Sequence, residues 1–180
     1  MNYKNFFHKC SQQDLCKIFF VKKIEDIEIH EIIKKLQYLG PNAKQAEYNK
    51  ELKKYFSSAG WVEEVKVSKN KHIGMKCDFY KTFNNNQVFL EIQFGKTEAI
   101  LKDVCKMQIA YDEQSLDLGI VIVPLDPNQM FSERKKSISG MAYFNMVKHV
   151  LPYLHFKYPM WVIGLNPNNY TNNLKQYLKK

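Results

Sequence analysis

The chain has no apolar run approaching the ~20 residues that a bilayer crossing requires, so no membrane partner is expected. Its first residues, MNYKNFFHKCSQQD, hold neither an uninterrupted apolar stretch nor a small-residue cleavage site. No secretory leader is therefore expected, and the expected location is the cytoplasm. Cysteine is sparse: Cys10, Cys16, Cys77 and Cys105 show no C-x-x-C spacing and no histidine pair at zinc-ligand distance. They are expected to be reduced thiols, mostly filling the core. The five histidines are scattered, and none is assigned a chemical role. No internal repeat or low-complexity stretch is present, which argues against repeat and linker architectures. Acidic residues are in short supply, 18 against 27 Lys and Arg, for a net charge of +9. Such an excess suits a polyanionic partner, nucleic acid or an anionic surface, without saying whether the protein cuts, copies or only binds.

What is present is a globular composition, 45% apolar and 25% charged over 180 residues, enough for one domain with its own core. The expected division is a helical segment at 1–39, a core at 40–165 and a polar, basic tail at 166–180. Residues 23–39 place Ile24, Ile27, Ile32, Leu36 and Leu39 near helical spacing, and Gly40-Pro41 ends the pattern. Asn42 is expected to cap a second helix over 43–58, with Tyr48, Leu52, Tyr55, Phe56 and Ala59 on its apolar stripe. Strands are expected at 61–68, 75–83 and 87–94, the last two forming a hairpin around Asn84-Asn85-Asn86. A helix follows at 97–110, then a wholly apolar strand LGIVIV at 118–123. After a polar, basic loop, Ser137 is expected to cap a helix over 138–154, and MWVIGL at 160–165 reads as another buried strand. Hairpin strands followed by buried strands joined through helices describe an α/β sandwich around one mixed sheet.

The hairpin carries the chemistry. In QVFLEIQF, period two puts Val88, Leu90, Ile92 and Phe94 on one face, and Phe89, Glu91 and Gln93 on the other. Asp78, between Cys77 and Phe79, points opposite its apolar neighbours and can come beside Glu91 across the hairpin. Two carboxylates and a main-chain carbonyl, here that of Ile92, make an all-oxygen site for a hard divalent cation such as Mg²⁺. Such a cation polarises a phosphoryl oxygen and offsets charge on the leaving oxygen.

Asp78 with Glu91-x-Gln93 resembles the D-(x)n-(D/E)-x-K pattern of the PD-(D/E)xK nucleases, with Gln93 where most of them carry Lys. The ordered strings CDFYKT, VFLEIQFGKTEAIL, LGIVIV, Met130-Phe131, Ser137, Ser139 and MWVIGL, with the lead-in GPNAKQAEYNKELKKYFSSAGW, resemble the BglII/BstYI-like branch of type II restriction endonucleases. That branch shares the Glu-x-Gln variant. The resemblance leaves residues 1–35 unmatched.

The resemblance implies a PD-(D/E)xK nuclease-like sandwich, a central mixed sheet flanked by helices. It also implies a restriction-modification enzyme that uses Mg²⁺, with Mn²⁺ as a substitute, and cuts double-stranded DNA at a short palindrome as a homodimer. Asp78, Glu91 and the Ile92 carbonyl would hold the metal. Gln93 would take the lysine's place, and an acid from the preceding helix, Glu47, would complete the site, with Gln45 and Asn49 competing. Lys44, Lys50, Lys96 and Lys102 would hold phosphates. The loop with Arg134, Lys135, Lys136, Ser137 and Ser139 would read bases. Two other readings stand beside this one: a nuclease of the same fold in repair or a mobile element, and a DNA-binding module that does not cut. The last would have no use for Asp78, Glu91 and Gln93 on one hairpin face.

Overall fold

In the computed structural model, residues 3–131, 133 and 138–167 are described. Six strands form one sheet: β1 (Tyr3–His8), β2 (Val62–Lys66), β3 (Lys76–Phe83), β4 (Asn86–Ile92), β5 (Leu118–Pro124) and β6 (Met160–Leu165). Their order across the sheet is β1-β6-β5-β4-β3-β2. The strands β2, β3 and β4 run as an antiparallel meander, β4, β5 and β6 are parallel, and β1 closes the far edge antiparallel to β6. The parallel part needs crossovers, supplied by α4 (Thr97–Asp112) and α6 (Phe144–Val150). The remaining helices are α1 (Gln12–Phe19), α2 (Glu28–Lys34), α3 (Gln45–Ser58) and the single turn α5 (Pro127–Met130).

Alternation along the central strands assigns the two faces. Val88, Leu90 and Ile92 join Ile120, Ile122, Trp161 and Ile163 beneath α1, α2 and α3. Phe89 joins Val121, Val123 and Val162 beneath α4 and α6. Strands covered on both sides read as continuous apolar runs, which is why LGIVIV and MWVIGL carry no polar residue. The face holding Glu91 and Gln93 is thus a second buried face, closed by α4.

The N-terminal segment differs most from expectation. Residues 3–8 form an edge strand, and α1 starts at a capping box in which Ser11 accepts from the Asp14 N–H and the Asp14 carboxylate accepts from the Ser11 N–H. The strand is pinned where Trp161 Nε1 donates to Asn5 Oδ1 at 3.1 Å and where Tyr3 stacks on His30, ring centres 4.3 Å apart. Burial among these rings lowers the His30 imidazole to about 4, in keeping with a packing role. The helix expected over 23–39 breaks at Ile27, whose backbone is extended (φ −67°, ψ 130°), leaving a short 3-10 turn and α2. Asn42 lies in a turn ahead of α3, which begins at Gln45 after Lys44. The helix expected over 138–154 begins only at Phe144, beyond Gly140 at φ +70° and an extended Tyr143. Of the four free thiols Cys77 is buried, Cys10 and Cys16 are half-buried against the core, and Cys105 is exposed.

Gly164 on β6 lets α6 approach closely: a Cβ there would lie 2.6 Å from the Phe144 ring. Gly164→Ala is expected to cost about 1–3 kcal/mol through overpacking, lowering the thermal midpoint by roughly 3–10 °C. An unchanged melting curve would contradict this packing.

Candidate active site

The site is built where the sheet ladder fails. Pairing between β3 and β4 runs from Phe83–Asn86 to Phe79–Leu90 and stops. One step further, the Ile92 N–H donates to Asp78 Oδ2 at 2.8 Å, so a side chain takes the place of a main-chain acceptor. In an antiparallel strand the N–H and C=O of one residue point the same way. The Ile92 carbonyl therefore also turns toward β3. On the other side of Asp78, the β2–β3 register skips Glu64, held in the left-handed region at φ 51°. That conformation costs about 1–2 kcal/mol for a residue with a side chain. Cys77 packs in the α4 layer and Phe79 in the α3 layer, although two residues apart should share a face. The alternation of faces is broken at Asp78 without an inserted residue, since Glu63–Phe79 and Val65–Cys77 keep one register on either side of it, and its carboxylate turns to the Ile92 N–H.

Glu91 opposes this point from β4 but is buried, 3% exposed. Its Oε1 lies 2.5 Å from Lys106 Nζ, and the same ammonium lies 2.9 Å from Asp103 Oδ1. Gln93 completes the group: Nε2 donates to Asp103 Oδ2 at 2.7 Å and Oε1 accepts the Gly95 N–H at 2.8 Å. Burial pushes the Glu91 carboxyl up to about 9, helped by the charges of Asp103 and Asp78 and opposed by Lys106. Asp103 is also raised by burial, against the pull of Lys106 and the Gln93 hydrogen bond. For Lys106, burial works against the ammonium, but Glu91 and Asp103 outweigh it and hold it above its ordinary value. Two carboxyl groups thus face this ammonium, and Asp78 lies within electrostatic reach of both, a crowding of acids that burial makes costly.

A cleft of about 110 Å³ opens beside Asp78. Phe79 and Ile92 form its floor, Asn49 and Lys53 project from α3 one turn apart, and Glu64 closes it from β2. Lys53 is paired with Glu63 at 2.6 Å and lies within the electrostatic reach of Asp78. Among the described residues no three of His, Cys, Asp and Glu converge as a complete metal cage. A cation beside Asp78 would draw the rest of its shell from the main chain, water and substrate oxygens.

Asp78 and Ile92 therefore meet at the cleft, with buried Glu91 and half-buried Gln93 behind them against α4 rather than on an open sheet face. Glu47 is not with them. Its carboxylate accepts the Lys44 N–H at 2.5 Å and ties off the first turn of α3, while Asn49 is the α3 polar residue nearest in sequence that lines the cleft. Lys44 and Lys102 are exposed, and the Lys96 ammonium is held by the carbonyl of exposed Ser139. Arg134, Lys135, Lys136 and Ser137 lie outside the described residues. Sequence reasoning missed Asp103 and Lys106. Asp103 follows Ile100 by three and precedes Met107 by four, so an acid sits on the buried stripe of α4; that was the available signal.

No helix among the described residues is long and apolar enough to cross a membrane. No curated protein sequence matches the chain. The crystal structure of restriction endonuclease BglII complexed with a DNA 16-mer is similar in fold, with a TM-score of 0.63 at 13% identity, over 93% of this chain and 79% of that one. The family model for restriction endonuclease BglII/BglIII matches residues 12–165. That match takes in every element from α1 to β6, so the chain belongs to the BglII/BglIII restriction endonuclease family and is a site-specific deoxyribonuclease.

Proposed function

We propose that the protein hydrolyses phosphodiester bonds of double-stranded DNA at a short palindromic sequence, with Mg²⁺ (or Mn²⁺), as a homodimer of a restriction-modification system in the cytoplasm. The observation that carries this reading is Asp78 at the open end of the β3–β4 ladder, beside buried Glu91 and the Ile92 main chain. A solved structure of similar fold in complex with a DNA 16-mer and the net charge of +9 support DNA as substrate. A palindrome read by two copies follows from two-fold symmetry, each subunit cutting one strand.

The donor set fits a hard divalent cation. Asp78 spends one carboxylate oxygen on Ile92 and keeps the other, the Ile92 carbonyl faces the same gap, and the excess of carboxylates over nearby ammonium calls for added positive charge. When bound, the cation would polarise the phosphoryl oxygen and lower the pKa of an attacking water. The remaining work falls to the chain. The Ile92 N–H fixes the Asp78 rotamer, so the carboxylate is oriented before substrate arrives. Glu91, buried behind Asp78, is held in place by Lys106. Asn49 and Lys53 stand at the rim, where a backbone phosphate would pass. Hydrolysis forms a bond from the water oxygen to phosphorus and breaks one bond from phosphorus to a sugar oxygen, which takes up a proton.

Purified protein incubated with unmodified plasmid and phage DNA is expected to give discrete fragments with Mg²⁺ and none with EDTA. A metal-dependent smear would remove sequence specificity, and intact DNA that still shifts in a gel would point to a binding module. Asp78→Ala, and separately Glu91→Gln, is expected to slow cleavage by at least about 10²-fold. Undiminished cleavage by both variants would place the chemistry elsewhere.

The pH dependence of metal-free stability follows from Glu91. Its carboxyl is raised from 4.5 to about 9, so the folded state keeps a proton that the unfolded chain releases. The stability this contributes is complete below about 4.5 and is lost as pH rises toward about 9. Thermal unfolding in EDTA is expected to show that decline, and Glu91→Gln to flatten it. Parallel curves for the two proteins would contradict the assignment.

A further inference from the structure

Gln93 stands where the nuclease pattern has a lysine, and both ends of its amide are held by the protein itself, by Asp103 and by the Gly95 N–H. A neutral group so tied cannot supply the missing charge. Lys106 brings an ammonium to the same place from α4, 2.5 Å from Glu91 Oε1 and 2.9 Å from Asp103 Oδ1, with its side chain 8% exposed. The four residues form a closed circuit between two elements. Glu91 on β4 and Gln93, one residue past its end, are two apart, and Asp103 and Lys106 are three apart on α4. Strand neighbours at that spacing are roughly 6.5 Å apart, and helix neighbours roughly 5–6 Å. The separations match, so each strand residue meets a helix partner without strain.

Stability alone does not account for a lysine in this layer. Its neighbours Val104 and Met107 are core residues, and a buried ion pair is usually no more stabilising than apolar side chains of equal volume. Resting on the nuclease reading above, we propose that Lys106 is a positioning residue that supplies from α4 the positive charge absent at Gln93. It fixes Glu91 from behind and offsets its charge, while Gln93 holds Asp103, and Asp103 holds Lys106. Gln93 is then a tether, not a group aimed at the scissile phosphate.

The test uses the full chain and three variants, Lys106→Met, Lys106→Arg and the double variant Q93K/K106M, which returns an ammonium to the strand. Two quantities are read: the apparent Ca²⁺ affinity from calcium-induced thermal shifts, and single-turnover cleavage with Mg²⁺. Removing the ammonium is expected to tighten Ca²⁺ binding by at least about threefold, because a competing positive charge has gone. It is expected to slow cleavage about 10–100-fold, as for other groups that orient metal-binding side chains. The opposite movement of the two readouts separates this role from simple destabilisation. Lys106→Arg should keep most of the cleavage, and Q93K/K106M should cut at least about tenfold faster than Lys106→Met.

Lys106→Met that cuts as fast as the unmutated protein overturns the proposal, as does an unchanged Ca²⁺ affinity. If Lys106→Met does not fold, the other two variants decide, and Q93K/K106M folded but inert overturns it. If the unmutated protein leaves all DNA intact, the nuclease reading fails separately, and the Ca²⁺ affinities still decide the role of Lys106.

Discussion

The hydrogen bond from the Ile92 N–H to the Asp78 carboxylate is the interaction on which the rest of the site depends. A sheet ladder normally uses up every main-chain group along the strands it joins, leaving no room for a ligand. Here the ladder ends at Phe79–Leu90, and Asp78 takes over as acceptor. That substitution keeps a buried N–H satisfied, orients a carboxylate and turns a carbonyl toward the gap at once. The irregularity is prepared on both sides of β3, by Glu64 in a left-handed conformation and by the change of face between Cys77 and Phe79. Local strain of this kind persists where surrounding packing over-determines it, and here the two apolar layers supply that packing.

Behind the opening lies an electrostatic constraint. Glu91 is carried into the interior by the alternation that puts Leu90 and Ile92 in the opposite core. A carboxylate in that position requires a partner, and α4 provides one in Lys106, itself balanced by Asp103 and steadied through Gln93. The parallel crossover from β4 to β5 is what lays α4 over this face. Topology, burial and charge are thus linked: the connection that closes the sheet also supplies the groups that hold the buried acid.

Much of this was legible in the sequence because both central strands obey simple periodicities. MWVIGL is a strand over the same residues in the structure, and the hairpin differs only at its ends. That Asp78 can come beside Glu91 followed from the antiparallel hairpin, although the ladder itself stops at Phe79–Leu90. The edge strand β1 was not legible, because YKNFFH is polar on positions that an interior strand would make apolar, and its partner β6 lies at the far end of the chain. The long helices expected at 23–39 and 138–154 were shortened by an extended Ile27 and by the turn at Gly140, local conformations that apolar spacing does not report. Glu47 satisfied the rule of an acid on the preceding helix but serves the helix start instead, a use that sequence alone does not distinguish. Asp103 and Lys106 were hidden because a charged pair three apart on a helix ordinarily reads as a solvated surface pair.

The central claim is that the opening beside Asp78 holds the catalytic cation. The most direct measurement is anomalous diffraction from crystals of the protein soaked in Mn²⁺. The account predicts a peak within coordination distance of the Asp78 carboxylate and the Ile92 carbonyl, on the side of the gap nearest Glu91. Manganese bound only elsewhere on the molecule, with the Asp78–Ile92 hydrogen bond intact and the gap empty, would contradict it.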